Sequence, residues 1–162
     1  ADLLGALARS PHFDKLELTV LLDVIADRLL APTDYVLYHG EDDRLAYAAM
    51  AVLHRDAVTP NVVEPWIARL GAGTRRPRTR GKTSGEWPTP TAHNTSSFLR
   101  ALHLQLALGV KGRPGVAGDE ALFAAPSPHR ADLLLAAIEQ IRGESPWLFT
   151  TPKSRRPVPS QH

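Results

Sequence analysis

The stretch DKLELTVLLDVIADRLLA, from Asp14 to Ala31, places Leu18, Leu21, Leu22, Ile25 and Leu29 at steps of three and four residues. That spacing gathers the aliphatic side chains on one stripe of a helix and leaves the charges on the other side. Such a stripe is stable only when another element covers it, so the helix demands neighbours. Pro32 closes it, because proline disfavours helical geometry in the residue before it. Nowhere does the chain alternate apolar and polar residues as a half-buried strand would, so it is expected to be all-α.

Five further helices are expected. Asp2 to Ala8 carries Leu3, Leu4 and Leu7 on one face and ends before Ser10 and Pro11. The run from Glu41 to Arg55 buries Leu45, Ala48, Ala49, Val52 and Leu53, its alanines allowing a neighbouring helix to come close; Tyr38 and Tyr47 read as partly buried rings. A fourth helix takes Thr59 or Asn61 as N-cap, buries Trp66, Ile67 and Leu70, and stops at Gly71; Pro65 is tolerated if the helix starts near Asn61 or later. Asn94 caps the fifth, which buries Phe98, Leu99, Leu102 and Leu106. A short helical turn follows around Asp119 to Phe123. Ser127-Pro128 opens the last helix, with Leu134, Leu135, Ile138 and Ile141 as its stripe and Gly143 as its stop. Six helices in antiparallel pairs suggest stacked helical hairpins, an α-solenoid or HEAT-like segment. The residues show no internal repeat, so an irregular helical bundle stands beside that reading.

The 162 residues are 43% hydrophobic, enough for one domain with its own core, here placed at residues 1–150. A Pro- and Arg-rich tail, 151–162, is expected to be disordered, and residues 71–93, where periodicity gives way to Gly, Pro, Thr, Ser and Arg, to form a flexible basic loop. No run approaches the roughly 18 apolar residues that cross a bilayer. Cysteine is absent, which excludes disulfides and thiolate metal sites. A cytoplasmic setting is the default expectation. The net charge of +2 hides a division. Arg75 to Lys82 holds five cations and no acid, and the tail holds three more, leaving 11 Lys and Arg against 17 Asp and Glu elsewhere.

The stretch HGEDDRLAYAAMAVLHR, His39 to Arg55, has the residue types of an active site. Glu41, Asp42 and Asp43, however, fall at a helix start, where acids meet unpaired N–H groups and the positive end of the dipole. Arg44, three residues after Glu41, is placed to pair with it. Zinc helices put two histidines four residues apart; His39 and His54 lie at opposite ends of this one, too far apart to share an ion. His12, His93, His103 and His129 show no ligand spacing, and no nucleophile elbow, phosphate loop or dinucleotide-binding glycine signature occurs. No metal or cofactor is expected. The basic loop offers a different chemistry: Arg75, Arg76, Arg78, Arg80 and Lys82 suit anion binding, with Trp87 nearby to stack on a base. A solvated linker explains the same residues.

The stretches ADLLGALARSPHF, GEDDRLAYAAMAVLHR and HNTSSFLRALHLQL, in this order and spacing, resemble the bacterial domain-of-unknown-function family numbered 2785. The resemblance covers Ala1 to about Leu148. It implies a helical fold and no established activity. It also implies a histidine-bearing segment upstream of Ala1, as if this chain were cut just after it. A site built with that segment would draw on Asp2, Glu41, Asp43, Arg44 and Asn94 here. If helices are missing upstream, the faces around Leu4 and Leu7, and around Leu18 or Leu22, should be bare to solvent or a partner. The balance favours a protein-interaction or scaffold module over an enzyme, with polyanion binding by the basic loop, and an enzyme completed by an upstream segment, as the alternatives.

Overall fold

The computed structural model describes residues 1–38, 40–55, 57–74, 89–108 and 128–148. Six helices make up nearly all of that: α1 Asp2–Arg9, α2 Lys15–Leu30, α3 Glu41–Leu53, α4 Pro60–Thr74, α5 Pro90–Leu108 and α6 Pro128–Glu144, followed by a short 3-10 turn, Pro146–Leu148. No strand occurs among the described residues, and the fold is all-α. No described helix is long and apolar enough to cross a membrane. The basic run Arg75 to Lys82, the turn expected at Asp119 to Phe123 and the tail 151–162 lie outside the described residues.

Helices pack mainly on their second neighbours. α1 lies against α3 and α3 against α5, while α2 lies against α4 and α4 against α6; α4 and α5 join the two rows. The arrangement follows from small residues. On α3, Ala46, Ala48, Ala49 and Ala51 are all buried, so α1 and α5 approach it closely from two sides. Gly5 and Ala8 are the buried residues of α1, with Gly5 next to Tyr47 and Ala48. Between the rows Trp66 meets Phe98 edge to face, ring centroids 6.1 Å apart, and donates its indole N–H to the Leu22 carbonyl at 2.8 Å. An aromatic ring can be buried there because its polar end has a partner.

α2 starts where the sequence places it. The Asp14 carboxylate accepts the N–H groups of Leu16 and Glu17, at 2.7 and 3.3 Å, and the Glu17 carboxylate accepts the Asp14 N–H at 2.9 Å, a reciprocal capping box.

Four expectations about boundaries and faces are corrected. Gly71 does not stop α4. The helix runs on to Thr74, whose hydroxyl donates to the Gly71 carbonyl at 2.8 Å and meets the Ser145 hydroxyl at 3.3 Å, both groups buried. Gly71 is instead a crossing point: a Cβ there would lie 2.5 Å from the Glu144 Cβ on α6. With Pro60 in the first turn, Pro65 sits inside α4 and forfeits one backbone bond from an exposed position. Asn94 does not cap α5. That helix begins a turn earlier at Pro90, where the Thr89 hydroxyl accepts the Ala92 N–H at 3.2 Å. On α6 the helix runs one residue past Gly143, and Leu133 rather than Leu135 faces inward; Leu135 is 59% exposed.

Of the faces expected to be bare, the one on α1 is open at Leu3, 71% exposed beside Leu4 and Leu7, and the one on α2 is not. Leu18 and Leu22 are buried at 0% and 1% exposure, and Leu4 and Leu7 pack against the core. α2 covers its inner stripe with α3, α4 and α5. Its exposed aliphatic residues are Leu16, Val20 and Val24, at 72%, 50% and 43%.

Candidate functional site

The candidate residues Glu41 and Asn94 meet on one feature, the connection between α2 and α3. Asn94, 4% exposed, points from α5 into this loop, donating through Nδ2 to the Tyr35 carbonyl and accepting the Leu37 N–H on Oδ1, both at 2.9 Å. The side-chain amide thus acts as a short piece of strand would, satisfying a donor and an acceptor of an extended segment. Thr91, one turn before Asn94, and Thr95, the residue after it, finish the end of α2. The Thr95 hydroxyl bonds the Leu29 carbonyl at 3.1 Å, and the Thr91 hydroxyl bonds the Ala31 carbonyl at 3.2 Å. These are carbonyls that the end of a helix leaves without intrahelical donors.

Glu41 holds the far side of the loop. Its Oε2 accepts the Tyr38 N–H at 3.2 Å and the Tyr35 hydroxyl at 3.1 Å. The hydrogen bond from the Tyr38 backbone, with that of the Tyr35 hydroxyl next, holds the Glu41 carboxyl below the usual carboxylate range. The same bond from the other side, to an anionic acceptor, pushes the Tyr35 hydroxyl above its ordinary value. Gly40 makes the turn into α3 with φ of 73°, a left-handed conformation that a side chain would strain. Fixed between these clamps, Tyr35 and Tyr38 stand at 44% and 56% exposure, edge to face, with centroids 5.6 Å apart. Tyr38 is therefore more open than the sequence suggests. Behind Tyr35 lies a shallow pocket lined by Arg28, Leu29, Thr33, Leu37 and Asn94.

The other candidates lie apart from this loop. Arg44 pairs with Asp2 at 3.9 Å across exposed surface, rather than with Glu41 as its spacing suggests. The Asp43 carbonyl accepts from Gln105 at 3.1 Å. His54 follows the last turn of α3, His12 is exposed, and His93 lies in the first turn of α5; His39 is outside the described residues. No group of three or more His, Asp or Glu among the described residues is placed to hold a metal ion. His103 accepts the Arg142 Nε–H at 3.0 Å, and partial burial, then the Arg142 charge, lowers its pKa. Arg75, Arg76, Arg78, Arg80 and Lys82 lie outside the described residues.

One polar anchor has no local signature in the residues. Arg55 donates to the carbonyls of Ala8, Ser10 and Phe13 at 3.1, 2.7 and 3.1 Å, tying the chain after α1 to the end of α3. An arginine after a helix is too common to announce this. Across α2, Arg69 of α4 joins Asp27 and lies 3.6 Å from Asp23.

Two kinds of surface emerge. The loop between α2 and α3 is rigidly held and displays two tyrosines. The outer stripe of α2 displays Leu16, Val20 and Val24 in steps of four and reaches Arg28 at the next step, on the rim of the pocket behind Tyr35. No curated protein and no solved structure matches the chain. A family model does, over residues 1–104, a shorter reach than the resemblance to Leu148 implied, ending within α5. The chain belongs to that family, DUF2785, described as a protein of unknown function.

Proposed function

We propose that this domain is a protein-interaction module whose contact surface is the outer face of α2. The observation that carries this reading is the row Leu16, Val20 and Val24, three aliphatic side chains left 43–72% exposed on a helix whose inner stripe is fully packed. Scattered surface leucines need no explanation, but three on one ridge at a spacing of four form a patch of the sort that partners cover. The arginine and tyrosines at its end are residue types enriched where binding energy concentrates. The placement of Glu41, Asn94 and Arg44, each bonded to the fold at a separate point or shaping the loop, favours this reading over an enzyme.

The test compares the full chain with a Leu16→Glu, Val20→Glu double variant, each recovered from its own cells with associated proteins. Both substitutions fall on exposed positions, so the variant should keep its helical spectrum and melting temperature while losing the associated proteins. An unchanged set of partners would overturn the reading. The polyanion alternative rests on the composition of residues 75–82, and steep salt dependence of DNA or RNA binding by the full chain is its test.

A further inference from the structure

We propose that the corner formed by Tyr35 and Tyr38 is a binding site for an alkylated ammonium group, carried by a small molecule or by a methylated lysine of a peptide. The shape comes first. The two rings stand at 82° to each other with centroids 5.6 Å apart, and both are half exposed. A cation in the angle between them is within reach of both, since the attraction of a ring extends to about 6 Å from its centroid. The corner is also set before a ligand arrives. Glu41 accepts the Tyr38 N–H and the Tyr35 hydroxyl, while Asn94 holds the Tyr35 carbonyl and the Leu37 N–H. Such preorganisation lowers the ordering cost of binding.

Charge selects the chemistry. From Arg28 to Arg44 the chain carries Asp34, Glu41, Asp42 and Asp43, four acids against those two arginines, with His39 neutral at pH 7. Arg44 lies 3.9 Å from a further acid, Asp2. The groups that α5 bonds to this connection, Thr91 and Asn94, are neutral. The C-terminal end of α2 and the N-terminal end of α3 both meet the loop, and their dipoles offset. The sum is negative, and the Glu41 carboxylate stands 3.1 Å from the Tyr35 hydroxyl. A phenol that donates to a carboxylate is richer in electrons, and its ring draws a cation more strongly. Arg28 opposes that cation from the pocket behind Tyr35 without cancelling the sum.

The same surroundings require alkyl groups on the nitrogen. A bare lysine ammonium is strongly hydrated and needs acceptors in place of its water, whereas the Glu41 Oε2 already accepts two hydrogen bonds. Methyl groups remove that need and pack on the rings. An anion has the wrong sign, and a neutral aliphatic group leaves the carboxylates unanswered. This site stands or falls independently of the contact surface on α2.

The experiment titrates the full chain with choline, and with the alcohol in which a carbon replaces its nitrogen, at about pH 8, where histidine is neutral. NMR follows the Tyr35 and Tyr38 ring signals and the Leu37 amide. Choline should move all three and saturate, binding about fivefold or more tighter than its neutral counterpart, the margin that two ring contacts supply. Tyr38→Phe should keep this binding, Tyr38→Leu should weaken it about fivefold at an unchanged melting temperature, and Arg28→Gln, which removes the opposing charge, should tighten it. A trimethyl-lysine peptide that binds tighter than choline assigns the site to a peptide side chain, and one that binds no tighter assigns it to a free small molecule. Equal binding of the neutral alcohol, ring signals that choline leaves unmoved, full binding by Tyr38→Leu, or weaker binding by Arg28→Gln overturns the proposal.

Discussion

Leu22 and Val20 are two residues apart on the same helix and have opposite fates. Leu18, Leu22 and Ile25 are sealed by α3, α4 and α5, whereas Leu16, Val20 and Val24 face outward. Residue type does not separate the two sets; the phase of the helix does. The inner stripe is what makes the fold stable, and the outer ridge is free to be used for something else. A helix that needed only solubility would carry polar residues at 16, 20 and 24.

The sharpest way to break this comparison is to truncate both faces. Leu22→Ala or Ile25→Ala should cost about 2–5 kcal/mol of unfolding free energy, the usual range for emptying a packed aliphatic site. Leu16→Ala or Val20→Ala should stay within about 0.5 kcal/mol. Denaturant melts of the four variants measure this, and a large loss at position 20 would mean that the ridge is part of the core after all.

The next effect down concerns the loop at the ridge's end. Asn94→Ala strips the Leu37 N–H and the Tyr35 carbonyl of their partners and should cost about 1–3 kcal/mol. Exchange of the Leu37 amide with solvent should speed up more than that of α3. If the loop stays protected, the clamp lies elsewhere.

That asparagine also shows where the sequence could be read and where it could not. α2 was legible to within a residue at each end, since its aliphatic stripe is a local pattern, although the Asp14–Glu17 capping box, just as local, was not read. Asn94 was not: followed by Thr and Ser it has the form of a helix cap, yet the atoms that occupy its amide are 57 and 59 residues away. The true start, Thr89-Pro90, is hidden in a stretch that reads as loop. Gly71 fails in the same way, its explanation being Glu144 on a helix far along the chain. Glu41 lay between: its place in a first turn is plain from its neighbours, but its hold on Tyr35 and Tyr38 requires the loop's shape.

The smallest expected effects are in pH. The Glu41 value is lowered on folding, so its contribution to stability is present above the ordinary carboxylate range and is lost as pH falls through it; Glu41→Gln should flatten that limb. His103 is also lowered, with a different consequence for a base: as pH falls below the usual 6.5, the unfolded chain takes up a proton that the folded one resists. Stability should therefore decline there, and His103→Gln should remove the decline. Melting temperatures from about pH 2 to about pH 8 distinguish the two. A profile unmoved by either substitution would show that these groups see the same surroundings folded and unfolded.

The glycine at position 71 carries an implication for the family as a whole. It makes room for α6, since the atoms nearest to a side chain there belong to Glu144, and α6 lies beyond the stretch of this chain that the family model matches. Gly73, by contrast, faces Leu30 and Thr95, both inside that stretch. Relatives that end in a different final helix should accept alanine at the equivalent of 71, which would strengthen α4 by about 1 kcal/mol. Those that keep this one should not. A single helix position would then report, from sequence alone, which members of the family close their last seam as this chain does.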